Sequence, residues 1–189
     1  KGTIKRGRSV EEDEALQSAL LEDVKEKAEN VMIVDLVRND FSRFADIGSV
    51  RVEELFGIHT FPQVHQMIST VGCDVQNKLS VDIIKDCFPM GSMTGAPKVR
   101  AMQLIEQYES TKRGLYSGAI GYITPEGNFD FNVVIRSVLY NKSNKYLSCM
   151  VGGAITAASD PEKEYDESLL KAKAIFEILT NNRLHAEDC

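Results

Sequence analysis

Two short turn sequences in the second half of the chain constrain its fold more than any other feature. Pro125-Glu126-Gly127-Asn128 and Asn141-Lys142-Ser143-Asn144 separate segments that are rich in β-branched and aromatic residues. Gly, Asn and Pro favour tight turns, and the segments between them favour extended backbone. The pattern therefore predicts three strands joined as antiparallel hairpins, over residues 116–124, 128–140 and 145–156.

Helical patterns flank these strands. Residues 11–42 carry apolar side chains at three- and four-residue spacing, which predicts an amphipathic helix in two pieces. The other predicted elements are strands over 48–56 and 63–73, a helix over 79–88, a turn over 91–95, a helix with Thr94 as N-cap that continues to about Tyr108, and a last helix with Asp160 as N-cap and Pro161 in first position. Strands in the middle with helices around them predict an α+β fold with a mainly antiparallel sheet.

The composition excludes several classes of protein. The chain has 22 Lys and Arg against 28 Asp and Glu, a net charge of −6, which argues against binding to duplex nucleic acid because phosphates require a basic face. The apolar run Val31–Val34 is far too short to span a bilayer. The four cysteines form no Cys-x-x-Cys pair, which predicts free thiols in a reducing, cytoplasmic compartment.

Two predicted helical segments each carry a pair of glutamates three residues apart. These are Glu26 with Glu29, and Glu164 with Glu167. Residues at i and i+3 project from the same side of a helix. Two such pairs facing each other would offer four carboxylates to a hard cation such as Mg²⁺, whose coordination an anionic substrate completes. The alternative is that both pairs are solvated surface acids.

Three other positions could contribute to an anion site. Arg136 lies between apolar neighbours on the strand predicted at 128–140, where it binds a carboxylate or forms an edge-strand salt bridge. Gly152-Gly153, at the end of the next predicted strand, allows close approach of a ligand, or marks a bulge or turn. His65 is either structural or a proton donor near neutral pH. Patterning alone therefore predicts an anion-binding α+β domain with a candidate Mg²⁺ site.

Seven segments of the chain together carry a family resemblance. They are Lys1-Gly2-Thr3, Ala28–Asp40, Val64–Val71, Gly91–Lys98, Tyr116–Tyr122, Ile135–Ser137 and Gly152–Ala154. In this order and spacing they resemble the chorismate-utilising enzymes, and the resemblance covers nearly the whole chain. It implies that residues 1–180 form the C-terminal portion of a catalytic α/β sandwich that encloses a Mg²⁺–chorismate site, and that residues 181–189 form a tail. We also expect a further part of the protein before Lys1.

The resemblance implies roles for individual residues. The implied metal-binding residues are Glu29 and Glu167 as direct ligands, and Glu26 and Glu164 as holders of metal-bound waters. The implied contacts to substrate are Arg136, Tyr116, Gly152 and Gly153 around one chorismate carboxylate, Lys171 near a substrate carboxylate, and Ser92 and Thr94 in a loop that lines the site. His65 matches a histidine beside the ring, a candidate proton donor to the departing C4 hydroxyl. For Lys171 the alternative is a surface pair with Glu167.

Lys1 separates the two nearest branches of this family. Lys-Gly-Thr resembles component I of the aminodeoxychorismate synthases, whereas Ala in place of Lys is typical of anthranilate synthase component I. The resemblance implies that the Lys1 amine attacks C2 of chorismate, and that ammonia from a glutamine amidotransferase partner then gives 4-amino-4-deoxychorismate for 4-aminobenzoate and folate synthesis. The net charge and the absence of a long apolar run predict no nucleic-acid or membrane partner. The alternatives are anthranilate synthase, and a non-catalytic anion-binding module of the same fold.

Overall fold

The chain folds into five α-helices and seven strands over the residues that the computed structural model describes, 2–157 and 159–181. In chain order they are β1 (Thr3–Lys5), α1 (Val10–Glu22), α2 (Val24–Phe41), β2 (Arg51–Thr60), β3 (Val64–Gly72), α3 (Ser80–Cys87), a 3₁₀ helix (Gly91–Met93), α4 (Lys98–Tyr108), β4 (Ala119–Ile123), β5 (Phe129–Val133), β6 (Val138–Asn141), β7 (Tyr146–Cys149) and α5 (Pro161–Asn181). This mixture of helices and antiparallel sheet confirms the predicted α+β class.

The described residues divide into two compact units. The first comprises residues 2–110 and 123–129, and the second comprises residues 111–122, 130–157 and 159–181. The second unit contains the antiparallel pair β6–β7 and the helix α5, and its buried apolar side chains include Val134 and Ala172.

A three-stranded antiparallel sheet in the order β1-β3-β2 lies in the first unit. Its central strand carries His65 and Met67, the two largest fully buried side chains among the described residues. Helix α2 packs against β3, and Val34 on that helix is buried. The sheet and α2 therefore form the core that positions His65 on β3 and the glutamate pair Glu26 and Glu29 on α2.

The long N-terminal helical segment forms two helices, as predicted, and the structure places the division at Asp23. Its backbone is extended, and its N–H donates to the Leu20 carbonyl at 3.3 Å, which ends α1. Its carboxylate accepts the N–H of Glu26 at 2.9 Å and so satisfies one of the donors that the first turn of α2 leaves unpaired. One aspartate thus fixes the turn of α2 that carries the first candidate glutamate.

A buried ion pair connects the end of α2 to the beginning of α4. Lys98 Nζ lies 2.6 Å from Asp40 Oδ2, and the two side chains are 11% and 6% exposed. Removing one partner of such a pair leaves an uncompensated charge in the interior.

We expect Asp40→Asn to lower the free energy of unfolding by about 3 kcal/mol, because Lys98 would lose its counter-ion. The matched control is Asp35→Asn on the same helix, which breaks the exposed 2.9 Å pair with Arg38 and should cost about 0.5 kcal/mol or less. Urea denaturation of both variants measures the difference, and equal losses would contradict it.

Three strand predictions differ from the structure. The strand predicted at 48–56 runs instead from Arg51 to Thr60. The strand predicted at 128–140 is two strands, β5 and β6, because Arg136 has a left-handed backbone (φ 52°) that cannot continue a pleated strand. The strand predicted at 145–156 ends at Cys149, so Gly152 and Gly153 lie in the connection to α5. Arg136 and the two glycines are therefore loop residues.

The predicted beginning of the last helix is confirmed. The Asp160 carboxylate accepts the backbone N–H groups of Glu162 and Lys163 at 3.1 Å, and Pro161 is the first residue of α5. The predicted tail falls almost wholly on residues 182–189, outside the described residues. Cys73, Cys87 and Cys149 carry free thiols. Within residues 2–157 and 159–181, no helix is both long and apolar enough to cross a bilayer.

Candidate functional site

The first glutamate pair lies in the N-terminal half of α2. Glu26 is half-buried, and burial, followed by the nearby charge of Glu29, raises its pKa. Glu29 Oε1 is buried and has no hydrogen-bond donor among the described residues; the Lys25 ammonium lies 3.8 Å away. A buried carboxylate oxygen without a donor is costly. This pair is therefore an environment that a cation would stabilise.

Gly2, at the beginning of the described chain, packs directly against Glu26. A Cβ atom at this position would lie 2.9 Å from Glu26 Oε2 and 3.2 Å from Leu20 Cδ1, so a side chain here requires these flexible groups to shift. The Gly2 carbonyl accepts the N–H of Met67 at 2.9 Å, which joins this segment to β3. The neighbouring Lys1, the predicted nucleophile, lies outside the described residues.

His65 is fully buried on β3, and both of its ring nitrogens have protein partners. Nε2 lies 2.8 Å from Asp13 Oδ1, and Nδ1 lies 3.0 Å from the Thr60 hydroxyl. Proton donation to a ligand therefore requires one of these hydrogen bonds to break. The role of His65 as proton donor stays a prediction.

Arg6 keeps the partner of His65 ionised. Its guanidinium donates to the Asp13 carboxylate at 2.9 Å from both Nε and Nη2, and the Gly7 N–H donates at 2.7 Å. These bonds, with that from Arg6 the largest cause, hold the pKa of Asp13 well below its usual range. No sequence pattern described above assigns a role to Asp13, so this contact was not predicted.

We expect Asp13→Asn to make protein stability less dependent on acid pH. A carboxyl whose pKa is lower in the folded state stabilises the fold above its unfolded pKa of about 4, and this contribution is lost as the pH falls below that value. Urea denaturation at pH 6 and pH 3 should show a smaller loss of unfolding free energy in the variant than in the wild type. An equal acid-dependent loss would contradict the assignment.

The loop with Ser92 and Thr94 packs on α2. A Cβ at Gly91 would lie 2.9 Å from Leu36 Cβ, which shows how closely the backbone approaches the helix. The prediction that Thr94 caps α4 is wrong. Its hydroxyl instead donates to the Met90 and Gly91 carbonyls at 3.2 and 3.3 Å, because Thr94 ends the 3₁₀ helix. Ser92 is exposed and accessible to a ligand.

Residues from three separate segments meet in the second unit around Gly152. Lys171 Nζ donates to the Gly152 carbonyl at 3.2 Å and lies 2.7 Å from Glu167 Oε1. A Cβ atom at Gly152 would lie 3.3 Å from the Tyr116 hydroxyl. The Tyr116 hydroxyl therefore lies beside the Gly152 backbone. Four predicted site residues are thereby brought together.

Glu164, which forms the second glutamate pair with Glu167, is 7% exposed. Its carboxylate is contacted on two sides. The Ser159 hydroxyl donates to its Oε1 at 2.8 Å. A Cβ at Gly153 would lie 3.0 Å from its Oε2. Ser159 was not predicted as a site residue, because the adjacent Asp160 was sufficient to explain where the last helix begins.

Arg136 is exposed in the loop between β5 and β6. A non-glycine residue with positive φ is strained, and such residues often occur at functional sites. Contact of Arg136 with the other predicted carboxylate-binding groups stays a prediction. No cluster of three or more His, Cys, Asp or Glu suited to a metal ion occurs within residues 2–157 and 159–181.

Comparison with known proteins gives consistent matches. Residues 1–177 match the family described as chorismate binding enzyme. A probable aminodeoxychorismate synthase, chloroplastic, of Oryza sativa subsp. japonica is 49% identical over 95% of this chain and 20% of its own length. Anthranilate synthase component 1 of Aquifex aeolicus (strain VF5) is 44% identical over 94% of this chain and 36% of its own. The chain thus spans between a fifth and about a third of these relatives.

A solved structure has the same fold. Anthranilate synthase component I from Streptococcus pneumoniae TIGR4 superposes with a TM-score of 0.73 at 37% identity. The match covers 92% of this chain and 40% of that chain. The match in fold and sequence therefore extends over nearly all of the chain.

Proposed function

Because this chain belongs to the chorismate-binding enzyme family, we propose that it is the portion of an aminodeoxychorismate synthase component I that binds chorismate and Mg²⁺. Ammonia, released from glutamine by an amidotransferase partner, replaces the C4 hydroxyl of chorismate and gives 4-amino-4-deoxychorismate. The observation that carries the proposal is the convergence of Tyr116, Gly152, Glu167 and Lys171 in the second unit. Helical spacing pairs Glu167 with Lys171, but it does not bring Tyr116 and Gly152 to them.

Local groups allow an acidic chain to bind a dianion. The Lys171 ammonium and the Tyr116 hydroxyl lie beside the Gly152 backbone and can donate to a carboxylate there. Arg136 is proposed to hold the same carboxylate in bidentate geometry. Such local donors outweigh the net charge of −6 because the field close to the site decides binding.

The glutamate pair on α2 fits a hard divalent cation. The donor-free Oε1 of Glu29 and the raised pKa of Glu26 support this assignment, since a bound cation would offset both costs. We propose Glu29 and Glu167 as direct Mg²⁺ ligands, and Glu26 and Glu164 as acceptors from metal-bound waters. When bound, Mg²⁺ neutralises a substrate carboxylate as a Lewis acid.

The proposed chemistry consists of two displacements. The neutral amine of Lys1 forms a bond to C2 of chorismate and loses a proton, both conjugated ring double bonds shift by one position, and the C4–O bond breaks. The leaving hydroxide takes a proton, for which His65 is the predicted donor, and departs as water. Ammonia then forms a bond to C4, and the returning electron pair expels the lysine amine. The Lys-Gly-Thr sequence supports the first step.

We expect Arg136→Ala to raise the KM for chorismate about 10- to 100-fold with a smaller change in kcat, because a charge-assisted contact present in both ground and transition states is lost. Steady-state kinetics of the complete protein measures this split. Arg100→Ala, which removes a surface arginine of α4, is the control. An unchanged KM would count against the assignment.

Anthranilate synthase component I is the second candidate, favoured by the relative from Aquifex aeolicus and by the structural match. Incubating the complete protein with chorismate, Mg²⁺ and an ammonium salt separates the two activities. Chromatography should detect 4-amino-4-deoxychorismate. Direct formation of anthranilate and pyruvate without it would overturn the proposal.

A further inference from the structure

Ser159 holds the carboxylate of Glu164 through a hydrogen bond whose direction can be deduced. Its Oγ accepts the backbone N–H of Thr156 at 3.0 Å. The hydroxyl has a single proton, and the acceptors within reach are Glu164 Oε1 at 2.8 Å, the Thr156 hydroxyl at 3.4 Å and the Ala154 carbonyl at 3.5 Å. The carboxylate is both the nearest and the charged acceptor, so it receives the proton.

The opposite side of the carboxylate is fixed by packing. The Gly153 backbone lies so close to Glu164 Oε2 that a Cβ there would approach it to 3.0 Å. With 7% of Glu164 exposed, the carboxylate has little freedom to rotate. One oxygen is therefore held by Ser159, and the orientation of the other follows from it.

We propose that Ser159 is a positioning residue that sets the orientation in which Glu164 accepts hydrogen bonds from metal-bound waters. This inference rests on the proposed function, which assigns Glu164 that role. Groups that orient a metal-site carboxylate through a hydrogen bond contribute to metal affinity although they never touch the ion. Ser159 touches neither the metal nor the substrate in this proposal.

The chain offers a matched control in Ser168. Its hydroxyl donates at 2.9 Å to the backbone carbonyl of Glu164, not to the carboxylate. Ser168→Ala therefore removes a hydrogen bond to the same residue without releasing the carboxylate. Ser159→Thr retains the donor and should preserve the effect.

The test measures Mg²⁺ affinity by calorimetry on the complete protein with chorismate present, together with the Mg²⁺ concentration for half-maximal turnover. We expect Ser159→Ala to weaken Mg²⁺ binding about tenfold. Ser159→Thr and Ser168→Ala should remain within about threefold of the wild type. If Ser159→Ala does not fold, Ser159→Cys, nearly isosteric and a weak donor, carries the same expectation.

Glu164→Gln distinguishes failure of this inference from failure of the proposed function. Unchanged Mg²⁺ affinity in Ser159→Ala, with weakened affinity in Glu164→Gln, would overturn the positioning role alone. Equal weakening in Ser159→Ala and Ser168→Ala would overturn it as well, because the effect would then be general. Unchanged affinity in Glu164→Gln would overturn the metal assignment itself.

Discussion

Replacing Glu167 with Gln is expected to lower chorismate turnover by about 100-fold or more while leaving the fold intact. The substitution removes the charge of a proposed direct Mg²⁺ ligand. Its effect should exceed the loss of about 10- to 100-fold that is typical when a residue hydrogen-bonded to a metal ligand is replaced. Stability should change by about 1 kcal/mol or less, because the Glu167–Lys171 pair is exposed, with the glutamate side chain 47% accessible. Steady-state kinetics and thermal unfolding of the complete protein measure the two effects.

Helix α5 supplies the control for this experiment. Glu177→Gln breaks a second i,i+4 pair, with Lys173, in which the glutamate side chain is 60% exposed. It removes the same charge from the same helix, so turnover should stay within about twofold of the wild type. Full turnover in Glu167→Gln, or an equal loss of turnover in both variants, would contradict the proposed role of Glu167 as a metal ligand.

Lys1→Ala is expected to reduce formation of 4-amino-4-deoxychorismate by about 100-fold or more. Removing a covalent nucleophile leaves only the contribution of binding and electrostatics to the rate. Mass spectrometry of the protein incubated with chorismate provides a second measurement, since the adduct at C2 requires the lysine amine. The variant should show no such adduct.

Lys5→Ala is the matched control for the lysine. Lys5 is exposed in β1, four residues along the same segment, and no role in the reaction is proposed for it. Its replacement should leave both turnover and the adduct unchanged. Normal product formation by Lys1→Ala would rule out the covalent step, although not chorismate binding.

Local signals in the sequence predicted much of the fold. The apolar spacing over residues 11–42 predicted two helices, and Asp160 was predicted as the N-cap of the last helix, whereas the capping role of Asp23 was not predicted. These features depend on neighbours within a few residues. The hairpin turns at 125–128 and 141–144 were predictable for the same reason.

The break between β5 and β6 could not be predicted from the same signals. Val133, Val134 and Ile135 all favour extended backbone, so the pattern continues the strand through the position where Arg136 turns left-handed. Tertiary context overrides propensity at such positions. The predicted orientation of Arg136 on a strand was wrong for that reason.

The side-chain contacts within the candidate site could not be predicted from residue spacing either. Spacing shows which residues share one face of a helix, but not that Tyr116 approaches Gly152 or that Ser159 binds Glu164. The family resemblance predicted the first contact, because it places Tyr116 and Gly152 around the same substrate carboxylate. No feature of the sequence predicted the hydrogen bond between Ser159 and Glu164, because the serine reaches the glutamate only after the chain has turned into α5.

Calorimetric titration of the complete protein with chorismate, with and without Mg²⁺, tests most directly whether this chain belongs to a working chorismate site. We predict binding that strengthens about tenfold or more when Mg²⁺ is present, and that loses this dependence in Glu29→Gln. Absence of Mg²⁺-dependent chorismate binding in the wild type would contradict the proposal and favour a non-catalytic module that retains the family fold.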